Sequence, residues 1–108
     1  MSILMFIPNP ADDRDRQFSV PVLAEATFNE IVLPVAERFG AEMVCRLGVG
    51  FDVDASSAPQ LQAELRRVLE NLSETHVVRE YVRPRLQNLI AELQRIVETR
   101  PDLLLYIG

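Results

Sequence analysis

Few side chains in this 108-residue chain have types and spacing suited to chemistry. His76 is the only group whose ordinary pKa lies near neutrality. A catalytic histidine needs a nucleophile to activate and a carboxylate to orient it. No spacing around His76 marks either, and its place in the break before the last apolar stripe predicts a surface or capping role. Cys45 is the only thiol. A reactive thiolate needs exposure and positive neighbours; Cys45 falls in the apolar phase of residues 43–53, which predicts a small hydrophobe in the core. Asp52-Val53-Asp54 puts two carboxylates on one side of a strand end. With help from Asp12 or Asp13 such a pair could hold Mg²⁺, but the triplet is common by chance and reads first as a polar strand exit. Gly48-Val49-Gly50-Phe51-Asp52-Val53 lacks the third glycine of a dinucleotide turn and leads into no helix. Arg66-Arg67 and Arg79, Arg83 and Arg85 are interleaved with Glu64, Glu70, Glu74 and Glu80, the pattern of a mixed, solvated helix face.

The elements that must position these groups are legible in the hydropathy pattern. Ser2–Ile7 is a continuous apolar run stopped by Pro8-Asn9-Pro10; it is too short for a helix and predicts a strand covered on both faces. After a charged turn at Asn9–Arg16, residues 18–22 alternate and predict a second strand, antiparallel to the first, with Pro21 favouring a sheet edge. Thr27-Phe28-Asn29-Glu30 has the capping-box pattern. Behind it Phe28, Ile31, Val32, Val35 and Phe39 recur at helical spacing. Pro34 predicts a bend in one continuous helix, and Gly40 predicts its stop.

Met43, Cys45, Leu47, Val49, Phe51 and Val53 are all odd-numbered and apolar, with Val44 the one exception among the residues between them. A period of two predicts a long strand, one that bends at Gly48 and Gly50 or lets another backbone approach there. Ser57-Ala58-Pro59-Gln60 is read as a capped helix start, followed by the stripe Leu61, Leu65, Val68, Leu69, Leu72. The last helix carries Val78, Val82, Leu86, Leu89, Ile90, Leu93, Ile96 and Val97 in phase across Pro84, and ends before Pro101. Leu103–Ile107 closes the chain as an apolar strand, covered on both faces or central in the sheet. The order β-β-α-β-α-α-β predicts an α+β fold, one domain over residues 1–108, with a single sheet of about four strands and three helices.

Composition narrows the function classes. The chain holds 11 Arg, no Lys and 16 Asp plus Glu, for a net charge of −5. That balance argues against binding a phosphate backbone, which needs clustered positive charge; two Tyr and no Trp give few stacking platforms. One Cys and one His complete neither a disulfide nor a Cys/His zinc site. The opening apolar run has no basic segment before it and no cleavage signature after it, so a secretory signal is not expected. No apolar run reaches the ~20 residues of a membrane span. These readings predict a cytoplasmic protein that engages neither nucleic acid nor membrane and needs no cofactor. The charge is uneven: residues 1–56 carry nine acids against four Arg, and the remainder carry seven of each. The N-terminal half therefore holds the whole net charge, an asymmetry able to steer a basic partner or simply to keep the chain dissolved.

The terminal Ile3–Ile7 strand, the helix start Ala26-Thr27-Phe28-Asn29-Glu30-Ile31 with its later Pro34, and the ending Arg100-Pro101-Asp102-Leu103-Leu104-Leu105-Tyr106-Ile107-Gly108 together resemble the small acidic immunity proteins of bacterial polymorphic toxin systems. The resemblance runs over the whole chain. It implies a cytosolic, non-catalytic protein whose partner is a toxin that it neutralises by blocking it.

A protein acting by occlusion needs a rigid scaffold and a complementary surface. If the partner is a basic toxin domain, the acidic half is the complementary face, and Asp12, Asp13, Asp15, Asp52 and Asp54 are the expected contacts. Two other readings stand beside this one: a small metal-dependent enzyme using Asp52 and Asp54, and a self-associating structural subunit, a homodimer for example, that pairs through Gly48-Val49-Gly50.

Overall fold

The computed structural model describes residues 1–108. Strand β1 (Ser2–Phe6) and strand β2 (Ser19–Ala24) form an antiparallel pair joined through helix α1 (Asp13–Gln17). The register slips between Ile3 and Leu4, leaving Val22 as an extra residue on β2. Val22 and Leu23 are consequently both buried, as a bulge permits and strict alternation does not. Strand β4 (Leu105–Ile107) pairs antiparallel with β1, and strand β3 (Phe51–Val53) antiparallel with β4. The sheet order is β2-β1-β4-β3, so the C-terminal strand is central and β2, carrying Pro21, is an edge. A proline there withholds the N–H that a further strand would need.

Helix α2 runs over residues 25–38, helix α3 over Glu42–Cys45, helix α4 over Ala58–Glu70 and helix α5 over residues 78–99. The fold is α+β with one antiparallel four-stranded sheet, as the sequence predicts, but with five helices rather than three. The two unforeseen helices are short. α1 forms in the charged turn because Asp12 caps it, its Oδ1 accepting the Asp15 N–H at 2.9 Å. α3 replaces the first half of the long strand predicted over residues 43–53. There Ala41, Val44 and Leu47 are the buried residues, while Val49 is 79% exposed. A spacing of three matches the tight turns whose N–H groups from Arg46 and Leu47 donate to the carbonyls of Met43 and Val44. Val44, the exception to the two-residue period, was the residue that carried the true period.

The two prolines inside helices act alike. In α2 the stretch Phe28–Val32 is a π turn, closed by the Leu33 N–H donating to the Phe28 carbonyl. In α5 the stretch Val78–Val82 is another, closed by Arg83 N–H and the Val78 carbonyl. Pro34 and Pro84 each follow their π turn by two residues. A proline ring collides with the carbonyl four residues back in a regular α-helix, and widening the preceding turn relieves the collision without breaking the helix. The predicted bend is this device. α2 then stops in a Schellman arrangement: Ala41 N–H donates to Ala36 at 2.9 Å, Gly40 N–H to Glu37 at 3.3 Å, and Gly40 sits at φ +65°.

Neither predicted side-chain cap forms. Thr27 lies inside α2, and Ser57 makes no cap bond to α4. Instead Asp54 organises the turn before α4: its Oδ1 accepts from the Ser56 and Ser57 N–H groups at 2.9 and 3.0 Å. The stripes on α4 and α5 hold as predicted; Leu61, Leu65, Val68, Leu69 and Leu72 face Val78, Val82, Leu86, Leu89, Leu93 and Ile96 in one cluster of 27 buried apolar residues that also takes in all four strands. Gln62 is buried in the α4–α5 seam and its amide donates to the Ile90 carbonyl and Gln94 Oε1 at 3.3 and 3.1 Å, so its polar atoms are satisfied.

The helices cover only one face of the sheet. Ile3, Met5, Ile7, Val20, Val53, Leu105 and Ile107 point inward and are buried, whereas Phe6 and Leu104 are 36% and 38% exposed, and Leu4 and Tyr106 are half-buried. The expectation that β1 is covered on both faces is thus corrected. Three helices with one apolar stripe each make one layer, and the second face of the sheet stays open to water.

Candidate functional site

Strands β1 and β3 both run antiparallel to β4. They therefore leave the sheet at the same end, and β4 enters there. This topology brings the turn after β1 (Asp12, Asp13), the residue after β3 (Asp54) and the turn before β4 (Asp102) to one end of the molecule. All four are exposed. The first three are among the acids singled out from the sequence; Asp102 was missed, because only the central position of β4 places it there.

The five expected contacts differ in what their carboxylates already do. Asp12 caps α1. Asp13 pairs with Arg16 at 2.7 Å, with both side chains largely in water, so the pair is weak. Asp15 is 3% exposed and bidentate to Arg100, whose Nη1 and Nη2 donate to its Oδ1 and Oδ2 at 2.6 and 3.1 Å; the Ala11 N–H adds a third bond at 3.2 Å. The hydrogen bonds from Arg100 hold the Asp15 carboxyl below the usual carboxylate range, against the opposing effect of burial. Its charge is spent inside the fold. Asp54 is likewise held low, first by the Ser56 hydroxyl, at 2.7 Å, and then by the Ser57 N–H. Asp52 lies mid-strand on the open face of the sheet, directly opposite Tyr106, and forms no ion pair.

The Tyr106 ring packs 5.3 Å from Phe6, centroid to centroid. It lies across two glycines: a Cβ on Gly50 would meet the Tyr106 hydroxyl at 2.0 Å, and one on Gly108 would meet its ring at 2.7 Å. The close approach expected at Gly50 is thus made by a side chain, with Gly50 at φ +90°. Phe6 and Tyr106 were not singled out from the sequence, because an unbroken apolar run gives no sign of which residues face outward.

The remaining groups have structural partners. Cys45 is half-buried on α3, not in a strand core; burial and then Glu37, Glu64 and Glu42 push its thiol up, which keeps it protonated. His76 is exposed at the start of the last helix, where Thr75 Oγ1 accepts the Val78 N–H at 3.2 Å. Arg83 pairs with Glu74 and donates to the Leu69 carbonyl at the end of α4. Arg38 and Arg67 lie on the Phe39 ring, and Arg85 on Tyr81. Glu64, not singled out either, reaches from α4 to α3, its Oε1 accepting the Met43 and Val44 N–H groups at 2.8 and 3.2 Å.

Beside the Asp15–Arg100 pair lies a cleft of about 450 Å³ whose lining includes Ile7, Phe18 and Leu103 together with Asp12, Arg14 and Arg95. No three His, Cys, Asp or Glu side chains converge to hold a metal ion; Asp52 and Asp54 find no third donor in this chain. No helix is long and apolar enough to cross a membrane. No protein-family model, curated protein or solved structure matches this chain.

Proposed function

We propose that this chain is a non-catalytic binding protein, an immunity protein that neutralises a cognate bacterial toxin by occluding it through an acidic surface. The observation that carries the reading is the gathering of Asp12, Asp13, Asp54 and Asp102 at one end of the sheet, with Asp52 on the adjoining open face. Three segments far apart in sequence contribute to it. The scaffold beneath suits a rigid complementary surface, since no buried side-chain polar atom lacks a hydrogen-bond partner. Asp15 contributes by fixing the turn that presents Asp12 and Asp13, not by touching the partner.

The test begins with the product of any adjacent gene that arrests growth when expressed alone. It is produced with and without this chain, and growth and association kinetics are measured. Rescue of growth is expected. The double charge reversal Asp13→Arg with Asp52→Arg slows association, and flattens its salt dependence, because like-signed surfaces lose the long-range attraction. Rescue with unaltered association in the variant would remove the acidic surface from the mechanism; failure of rescue would remove immunity.

A further inference from the structure

We infer that the open face of the sheet, centred on Phe6 and Tyr106 and edged by Asp52, is the docking surface, and that its occupant is a cationic, partly apolar protein segment anchored by an arginine. This deepens the reading above and rests on it. Leu4, Phe6, Leu104 and Tyr106 form a partly exposed apolar patch on the one face the helices leave bare. Patches of this kind, built around aromatic side chains, are the usual centres of protein interfaces.

Charge decides the occupant. The four strands contain a single charged residue, Asp52, and no cation. Asp13, Asp54 and Asp102 lie at the end of the same sheet. The strands of a second copy would bring no cation to pair with Asp52, and these strands offer no positive group to the phosphates of lipid or nucleic acid. An arginine fits. Asp52 stands opposite Tyr106 across the β3–β4 pair, and Phe6 stands opposite Tyr106 across the β4–β1 pair. Directly opposed residues have Cβ atoms about 5 Å apart. One guanidinium can therefore lie on an aromatic ring of this row while donating two hydrogen bonds to the Asp52 carboxylate.

The test uses isotope-labelled protein followed by amide NMR during titration with a synthetic peptide alternating arginine and leucine. The controls are its glutamate–leucine counterpart and anionic phosphatidylglycerol vesicles. Shifts are expected at Phe6, Asp52, Leu104 and Tyr106 with the basic peptide alone. Asp52→Asn, an exposed substitution that leaves the fold intact, weakens binding by about tenfold, and Phe6→Ser by a similar factor. Shifts confined to the Asp12–Asp13 turn would overturn the docking face and leave the acidic-occlusion reading standing. So would unchanged affinity in Asp52→Asn. Absence of binding, equal binding of the acidic peptide or vesicles, or a mass that doubles with concentration and reverts in Phe6→Ser, would each overturn the inference.

Discussion

Asp15 and Arg100 are 85 positions apart and share two hydrogen bonds, at 2.6 and 3.1 Å. The pair ties α1, the element between the first two strands, to the residue that follows α5. The aspartate is buried while the arginine is 44% exposed. This asymmetry means that the two partners differ in what they cost when left alone. A stranded arginine turns to water; a stranded carboxylate cannot.

Arg100→Gln is therefore expected to lower Tm by more than Asp15→Asn does. In the Asp15→Asn background, Arg100→Gln is expected to have little further effect. Thermal unfolding of the two single variants and the double variant checks this, the cycle isolating the pair from general packing changes. Amide hydrogen exchange across residues 11–17 rises in both single variants, since α1 loses its tie to the fold.

Acid sensitivity follows from the same pair. Arg100 depresses the folded-state pKa of Asp15, so folding favours the ionised form. The stabilisation is fully present above the unfolded carboxylate value, about 3.9, and is lost as pH falls through the lower folded value. Asp54, depressed by Ser56 and Ser57, acts in the same direction. Wild-type Tm should hold down to about pH 5 and then decline, with a shallower decline in Asp15→Asn. A decline of equal slope in that variant would contradict the assignment.

Glu64 substitutes for a cap that α3 lacks, since the residue before that helix is Ala41. Removing the carboxylate in Glu64→Ala leaves the N–H groups of Met43 and Val44 without their acceptor, an effect of about 1 kcal/mol by analogy with lost N-caps. Glu64→Gln keeps an acceptor and should recover most of it. Urea unfolding reads this as a lower midpoint at unchanged m.

Gly40 and Gly50 separate backbone strain from collision. A Cβ on Gly40 meets nothing within 4 Å, so Gly40→Ala carries only the left-handed backbone cost, about 1–2 kcal/mol. Gly50→Ala adds displacement of the Tyr106 ring and should destabilise clearly more. The Gly50→Ala spectrum should also lose the Phe6–Tyr106 ring contacts in nuclear Overhauser measurements, which Gly40→Ala leaves in place.

Much of this protein is decided by its sequence alone. The stripes of α4 and α5, the stop at Gly40, the edge position of Pro21 and the antiparallel pairing of the first two strands all follow from side-chain periodicity and backbone restriction, which act over a few residues and are readable there. The stretch 41–50 resisted because two periods fit it; Ala41, Val44 and Leu47 prevailed over the odd-numbered set once Glu64, on another helix, supplied acceptors for the turn. Asp15 looked like its neighbours Asp12 and Asp13 and became interior only because Arg100 arrives from the far end of the chain. The outward turn of Phe6 and Tyr106 was equally hidden, since unbroken apolar runs carry no facing information. Those choices are made by contacts distant in sequence, and only the assembled fold brings them together.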